Sequence, residues 1–200
     1  MARTGRPREF DREKAIETAM NTFWEKGFET TSLADLRTVL NLSSASFYAA
    51  FGSKKALYEE CLKRYTDTCG EVTSYLDDGS KSPKQAIQSM LRHTVAVQTS
   101  STSPQGCMAV LSGMNCCDDN KEVETLTFSV RKQTRDAIFR CVTRGIERGE
   151  LAATTDAESY TLMLDSFVKG ISIQAKDGAT EEQLLAAVDY LLMNWTSPMN

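Results

Sequence analysis

The sequence predicts an all-α fold of about nine helices. Apolar residues recur at helical spacing through most of the chain, as at Ile16, Ala19 and Phe23. Residues that cap helices precede these stripes, and glycines such as Gly27 follow them. No segment alternates polar and apolar residues for long enough to suggest a strand. Helices packed around apolar cores are therefore expected throughout.

The first third of the chain has the pattern of one longer helix followed by short ones. Asp11, Ser43 and Ser53 are placed to cap helices, and Thr30-Thr31-Ser32 offers a cap for another. Asn41 lies where a tight turn needs a left-handed residue, a conformation that asparagine tolerates. The predicted helices are residues 12–26, 33–40, 44–51 and 54 to about 68.

The remaining two thirds continue with helical periodicity. Pro83 stands at the first-turn position that proline prefers, while Gly149 and Gly178 end helices. Residues 99–106 form a polar Ser/Thr/Pro/Gly loop. Helices are predicted at about 83–98, 107–114, 122–148, 156–176 and 180–195. This division predicts a basic flexible arm at 1–10, a helical head at 11–53 and a larger helical body at 54–200.

Charge is distributed unevenly along the 200 residues. The net charge is −4, yet residues 1–65 carry 11 Lys+Arg and 9 Asp+Glu, a balance of +2. The arm contributes Arg3, Arg6 and Arg8 before any acid appears. Such a cationic end beside an acidic body favours a polyanionic partner for the N-terminus. The sequence shows neither a secretory h-region nor an apolar run of membrane-spanning length, so a cytoplasmic location is expected.

Six cysteines occur, but their spacing does not suggest a metal site. There is no CxxC motif and His93 is the single histidine, which disfavours a structural zinc site. We expect reduced thiols and no cofactor, and we leave the identity of any metal unknown.

The helices and turn predicted in residues 12–51 have the lengths and order of a helix-turn-helix, whose last helix lies in the major groove of DNA. Small side chains at its start permit a close approach to the duplex. The alternative is any small helical domain with a polar surface. The predicted contacts with bases, phosphates or the minor groove are Arg3, Arg6, Arg8, Thr31, Ser32, Ser43, Ser44, Ser46, Tyr48 and Lys54.

The segment TTSLADLRTVLNLSSASFYAAFGSKKALYEECL, residues 30–62, resembles the signature of the tetracycline-repressor (TetR) family. The resemblance lies in the Thr-Ser start, the aromatic-Tyr pair Phe47-Tyr48, and Phe51, Lys54 and Leu57 at their spacing. It covers about residues 10–62. It implies phosphate contacts from Tyr48 and Lys54, and Ser44 and Ser46 at the groove. Ser44 and Ala49 depart from the Lys and His that family members often carry there.

The resemblance also implies a homodimer built by the last two helices, joined in a four-helix bundle with the partner. Two recognition helices would then lie about 34 Å apart, as a palindromic operator requires. The alternative is that these apolar stripes serve only the core of one subunit. The candidate interface residues are Phe167, Ile171, Leu184, Val188, Leu191 and Trp195.

A body of this family is expected to bind a small-molecule effector. Methionine and aromatic side chains make adaptable pocket walls, although the same residues can simply be core. The candidate pocket residues are Met90, Met108, Met114, Phe128, Met163 and Phe167.

Reaction of a cysteine thiol with the effector is a second way in which the body could sense it. Cys107 follows a polar loop and begins a predicted helix, whose N-terminus would lower a thiol pKa. Cys116 and Cys117 follow closely. The stretch PQGCMAVLSG, with the N-terminal arm, is similar to two enterobacterial-type repressors of the family, one responding to electrophiles and oxidants and one to copper. The alternative is an inert, buried Cys107.

Together these features favour a regulator released from DNA by a small molecule, oxidant or metal. An enzyme is disfavoured because no nucleophile–base pair or phosphate-binding loop is evident. A helical adaptor that binds only proteins is the remaining alternative.

Overall fold

The computed structural model describes residues 10–193 and Trp195, and within them it is all-α. That part of the chain forms ten α-helices and a short 3-10 turn at Asp118–Asn120, with no strand. The predicted fold class is confirmed. The helices are α1 Arg12–Lys26, α2 Leu33–Leu40, α3 Ser44–Phe51, α4 Lys54–Asp67, α5 Thr73–Asp77, α6 Pro83–Gln98, α7 Met108–Leu111, α8 Lys121–Glu147, α9 Ala157–Lys176 and α10 Glu181–Met193.

Side-chain caps fix where the helices begin. The Asp11 carboxylate accepts from the Lys14 N–H at 3.1 Å, and the Ser53 hydroxyl accepts from the Ala56 N–H at 3.0 Å. Thr180 and Gln183 form a reciprocal pair at the start of α10. Each cap satisfies a backbone N–H that the helix itself leaves unpaired. The predicted caps are therefore confirmed.

Helix α5 is the element that periodicity missed. It spans only five residues between Gly70 and Gly79, too short to show an apolar stripe. Leu76 nevertheless is fully buried against the body core. A single buried side chain anchors this short helix, so tertiary packing and not local sequence decides it.

The head has a core built on aromatic rings. Phe23 of α1 and Tyr58 of α4 meet edge-to-face with centroids 5.1 Å apart, and Trp24 meets Tyr65 at 4.8 Å. The same cluster takes in Met108 of α7 and Val123 of α8. Because α4 contributes buried residues to this cluster from Leu57 to Tyr65, almost its whole length is part of the head's core. The domain boundary after residue 53 stays a prediction.

The body surrounds a second core, formed by α5, α6, α8, α9 and α10. Helix α8 is 27 residues long and buries one stripe, which includes Val123, Thr127, Ile138 and Cys141. None of the described helices combines the length and the apolar character of a membrane span.

Candidate functional site

Helix α3 is held so that its polar face points away from the protein. Phe47 and Phe51 are buried, with their ring centroids 5.6 Å apart, and lock the helix onto the head core. Tyr48 is 50% exposed, as the sequence predicts. The outward residues also include Ser43, Ser44, Ala45, Ser46 and Ala49. The short side chains leave the backbone of α3 open to close approach by a partner.

A single residue sets the angle between α2 and α3. Asn41 adopts the left-handed conformation, φ 53° and ψ 46°, and its N–H reaches back to the Arg37 and Thr38 carbonyls. The Ser43 hydroxyl then caps α3 by accepting from the Ser46 N–H at 3.1 Å. The Ser43 and Ser46 hydroxyls lie 2.9 Å apart. The turn predicted at Asn41 is confirmed, and it gives α2, turn and α3 the order of a helix-turn-helix.

The two residues predicted to hold phosphate at α2 differ in placement. Ser32 is exposed, with its hydroxyl exchanging hydrogen bonds with Asp35 in a capping box. Thr31 is fully buried, and its hydroxyl donates to the Gly27 carbonyl at 2.6 Å. The prediction of a Thr31 contact is therefore wrong, because this side chain closes the α1–α2 loop from inside.

Lys54, at the first turn of α4, packs on an aromatic ring. Its ammonium lies 4.1 Å from the centroid of Phe28, a cation–π contact. Burial lowers the pKa of Lys54, while the nearby Glu29 carboxylate acts in the opposite direction. A phosphate contact from Lys54 stays a prediction. Arg3, Arg6 and Arg8 lie outside the described residues.

Hydrogen bonds join the head to the body around α7. The Tyr58 hydroxyl lies 2.6 Å from the Ser112 hydroxyl, and the Phe28 N–H donates to the Ser112 carbonyl at 2.7 Å. The Trp24 indole donates to the Gly106 carbonyl at 3.0 Å. Gly106 has φ +80°, and a Cβ there would lie 2.8 Å from the Ser172 carbonyl oxygen. Only glycine fits this loop end, where head, loop and α9 meet.

Cys116 and Cys117 lie at a second contact between head and body. The Glu29 carboxylate accepts from the Cys117 N–H and from the Asn120 amide, each at 2.9 Å. These hydrogen bonds lower the pKa of Glu29. Burial raises the pKa of Cys116, and Glu124 accepts from its N–H at 2.9 Å. Neither cysteine lines the cavity described next, so their role in sensing stays a prediction.

A cavity of about 50 Å³ lies in the body where α4, α6, α7, α8 and α9 converge. Its polar lining side chains are those of Tyr65, Cys69, Thr94, Gln98, Cys107, Arg131, Thr134 and the Asp165–Lys169 pair. The apolar wall consists of Val72, Val97, Ala109, Val110, Val130 and Val168. The surface that these residues present to the cavity is mainly apolar, with polar groups interspersed, as is typical of small-molecule sites.

Cys107 lines this cavity, but not as the activated thiol that the sequence suggested. The Tyr65 hydroxyl donates to its sulfur at 3.2 Å. Burial raises the pKa of Cys107, an effect that the Tyr65 hydrogen bond opposes without overcoming. The predicted net lowering of this pKa is wrong: the Val110 and Ala109 N–H groups at the start of α7 do lower the pKa, but desolvation outweighs them. At neutral pH the group is a thiol, not a thiolate.

Sequence reasoning missed the charged residues of the cavity. Asp165, 2% exposed, pairs with Lys169 one turn along α9, and Arg131 donates to the Ala109 carbonyl at 2.6 Å. The position of Arg131 in the sequence could have indicated that it faces inward, because it follows the buried Thr127 by four residues, about one turn of α8. Among the described residues, no group of three or more His, Cys, Asp or Glu side chains is arranged to hold a metal.

Most of the predicted pocket residues lie elsewhere. Met90 and Met108 are fully buried in the cores, one in the body and one with the head. Phe128, Met114 and Met163 are exposed, and Phe167 is half-buried against the body core. None of these six residues lines the cavity, and their part in effector binding stays a prediction. Helical periodicity does not tell which inward residues border a gap.

The predicted dimer residues divide in a similar way. Four of them lie in the core of the single subunit and are not available to a partner: Ile171, Leu184, Val188 and Trp195. For these four the prediction is wrong, because the inward face of α9 and α10 covers α6 and α8. Phe167 and Leu191 are only half-buried and remain candidates.

An outward α3 after a tight turn, attached to a helical body with its own cavity, defines a DNA-binding transcriptional regulator with a sensing domain. Two family models agree, "Bacterial regulatory proteins, tetR family" over residues 15–61 and "Tetracyclin repressor-like, C-terminal domain" over 83–190. The chain belongs to the TetR family of bacterial regulatory proteins.

Individual relatives align along nearly the whole chain. The HTH-type transcriptional repressor ComR of Escherichia coli (strain K12) is 28% identical, covering 96% of this chain and 91% of that protein. The repressor BdcR of the same organism is 27% identical, covering 91% and 87%. A cysteine variant of the regulator CifR, solved with 26-base-pair double-stranded operator DNA, is 37% identical with TM-score 0.87, covering 96% and 100%.

Proposed function

We propose that this protein is a homodimeric repressor that binds a palindromic operator through α3 and is released by a small effector bound in the body. It acts by binding and not by catalysis, in the bacterial cytoplasm where operator DNA lies. Two copies of α3 related by a twofold axis would enter successive major grooves about 34 Å apart.

The observation that carries the proposal is the placement of α3. Its aromatic residues Phe47 and Phe51 are buried, while Ser44, Ala45 and Tyr48 face outward. Small residues permit close approach to base edges, and the Tyr48 hydroxyl suits a phosphate. CifR, 37% identical and of the same fold, was solved bound to operator DNA, which supports the same use here.

DNA binding is tested by fluorescence anisotropy on the duplex that flanks the protein's own gene, titrated with salt. We expect specific binding that weakens steeply as salt rises, because phosphate contacts release counterions. Ala45→Asp should weaken binding by at least about tenfold, since a carboxylate would face the phosphates. Ala153→Asp makes the same change on an exposed loop and should bind as the parent does. Absence of binding to any duplex would favour the adaptor.

A dimer face is proposed on the outward side of α9 and α10. Leu162, Met163 and Ile173 of α9 are exposed, at 57%, 40% and 52%. Gly170 lies between them, with open space where a Cβ would stand. Met193 of α10 is 67% exposed. Apolar residues around a small one allow a second helix to approach closely, as in a four-helix bundle.

Sedimentation measures this interface. Ile173→Glu should shift the protein from dimer to monomer, because burying a charge in an apolar contact is costly. Val39→Glu changes another exposed aliphatic residue, in the head, and should leave the dimer intact. An unchanged sedimentation coefficient for Ile173→Glu would place the interface elsewhere.

The effector site is proposed to be the cavity beside Cys107. Three contacts support a link to the DNA-binding head: Tyr65 of α4 borders the cavity, α7 forms part of its wall, and Ser112 just after α7 bonds to Tyr58. A ligand that displaces α7 would therefore act on α4 and on the spacing of the two heads. Cys107→Ser tests the thiol's part. If this variant still releases DNA with every effector of the parent, the thiol is not a sensor.

A further inference from the structure

We infer that the effector carries one anionic group, held by Arg131, on a short apolar body that fills the aliphatic part of the cavity. This inference rests on the proposed function in that it takes the cavity as the effector site. It adds the chemical class of the ligand, which follows from the charges around the cavity.

Arg131 is a half-buried cation that forms no ion pair among the described residues, although the Asp165 and Glu124 carboxylates are near enough to interact with it through space. Its guanidinium makes one hydrogen bond, from Nη1 to the Ala109 carbonyl, a neutral group. The remaining N–H groups of this five-donor side chain have no protein acceptor in the described structure. Burial lowers the pKa of Arg131, which marks the cost of holding the charge there. A cation in such a place is stabilised by an anion.

The other two charges at the cavity compensate each other. Asp165 is almost completely buried and forms an ion pair with Lys169. This pair is neutral as a unit, and drawing Lys169 away would leave the buried Asp165 carboxylate without its partner. Two cations, Arg131 and Lys169, and one carboxylate, Asp165, therefore leave the cavity lining with one net positive charge. One negative charge on the ligand balances it.

The size and lining of the cavity limit the rest of the ligand. A water needs roughly 10–15 Å³ by the same measure, so a cavity of about 50 Å³ holds a few heavy atoms. Six aliphatic side chains line it. Phosphate or sulfate would exchange strong hydration for these walls, which is unfavourable. A short monocarboxylate of three or four carbons fits both the charge and the apolar wall.

Calorimetry with butyrate and butyramide, two molecules of nearly equal shape, tests the inference on the full-length protein. We expect butyrate to bind at least about tenfold more tightly, a difference of 1.4 kcal/mol. The preference should disappear in Arg131→Gln and persist in Arg131→Lys. Lys132→Gln removes the neighbouring cation, which pairs with Asp136 outside the cavity, and should bind butyrate as the parent does.

Equal affinity for butyrate and butyramide in the parent protein would overturn the inference without any variant, so the result does not depend on Arg131→Gln folding. Retained butyrate preference in a folded Arg131→Gln would overturn the role of Arg131. Operator binding, measured alongside, separates the two proposals. Butyrate that binds through Arg131 without releasing DNA supports the anion site and contradicts the effector role. If a neutral molecule releases DNA and no carboxylate binds, the effector role of the body is supported and the anion site is contradicted.

Discussion

The hydroxyl groups of Tyr58 and Ser112 lie 2.6 Å apart, and this pair joins α4 of the DNA-binding head to the segment that follows α7. The Ser112 hydroxyl also donates to the carbonyl of Met108, the first residue of α7, at 2.6 Å. The contact between the two hydroxyl groups is buried. The pair therefore couples the position of α7 to that of α4, the helix that follows the recognition helix.

Tyr58→Phe should lower the free energy of unfolding by about 1 kcal/mol, the net value of one buried hydrogen bond. The ring remains, so the packing against Phe23 and Phe28 is kept. Urea unfolding followed by circular dichroism measures the change. Tyr48→Phe removes an exposed hydroxyl and should leave the midpoint unchanged. If both variants unfold alike, the Tyr58–Ser112 contact contributes nothing to stability.

Asn41→Val should destabilise the head by about 1–2 kcal/mol, because a β-branched residue strongly disfavours the left-handed conformation. Asn41→Gly should cost little or nothing, since glycine adopts positive φ freely. Thermal unfolding and operator affinity are the measurements. A Val variant as stable as the Gly variant would show that the turn relaxes to another conformation.

Cys107 should react with iodoacetamide more slowly than the exposed Cys117 at neutral pH. Its raised pKa leaves little thiolate, so the rate should keep rising as pH increases beyond the ordinary range of a thiol. Tyr65→Phe removes a hydrogen bond that lowers this pKa and should slow the reaction further. Mass spectrometry of peptides gives the rate at each cysteine. A Cys107 rate that levels off near neutral pH would contradict the assignment.

Glu29 should contribute to the acid sensitivity of the fold. Its pKa is held below the ordinary 4.5 by the Asn120 amide and the Cys117 N–H. A carboxylate with a depressed folded-state pKa adds stability above its unfolded pKa, and this stability is lost as pH falls through the folded value. Glu29→Gln keeps the accepting oxygen but does not titrate. It should therefore lose less stability between pH 6 and pH 3 than the parent, measured by urea unfolding at each pH.

Local sequence predicted the helices and turns well because the interactions that begin and end them are local. The Asp11, Ser43 and Thr180 caps each bond within three residues, and Asn41 closes its turn with its own backbone. The recognition helix could be assigned for the same reason, since Phe47 and Phe51 share one face and Tyr48 another.

What the sequence did not predict depends on which surfaces meet. Thr31 looked like a cap in the sequence, but its hydroxyl turns inward to the Gly27 carbonyl. Val188 and Ile171 look equally suited to a core or an interface, and only packing against α6 and α8 decides between them. The cavity could not be predicted either, because its lining residues Arg131 and Asp165 belong to different helices, α8 and α9.

Because Gly106 is closely packed, the loop before it has one part that should tolerate insertion or labelling and one part that should not. Residues 100–102 are at the surface and should accept an inserted peptide or a fluorescent label with little loss. A change that shifts Gly106 itself would disturb the Trp24 hydrogen bond and the Ser172 contact at once. A label attached early in this loop should therefore leave both contacts of Gly106 intact, provided that the linker ends before the glycine.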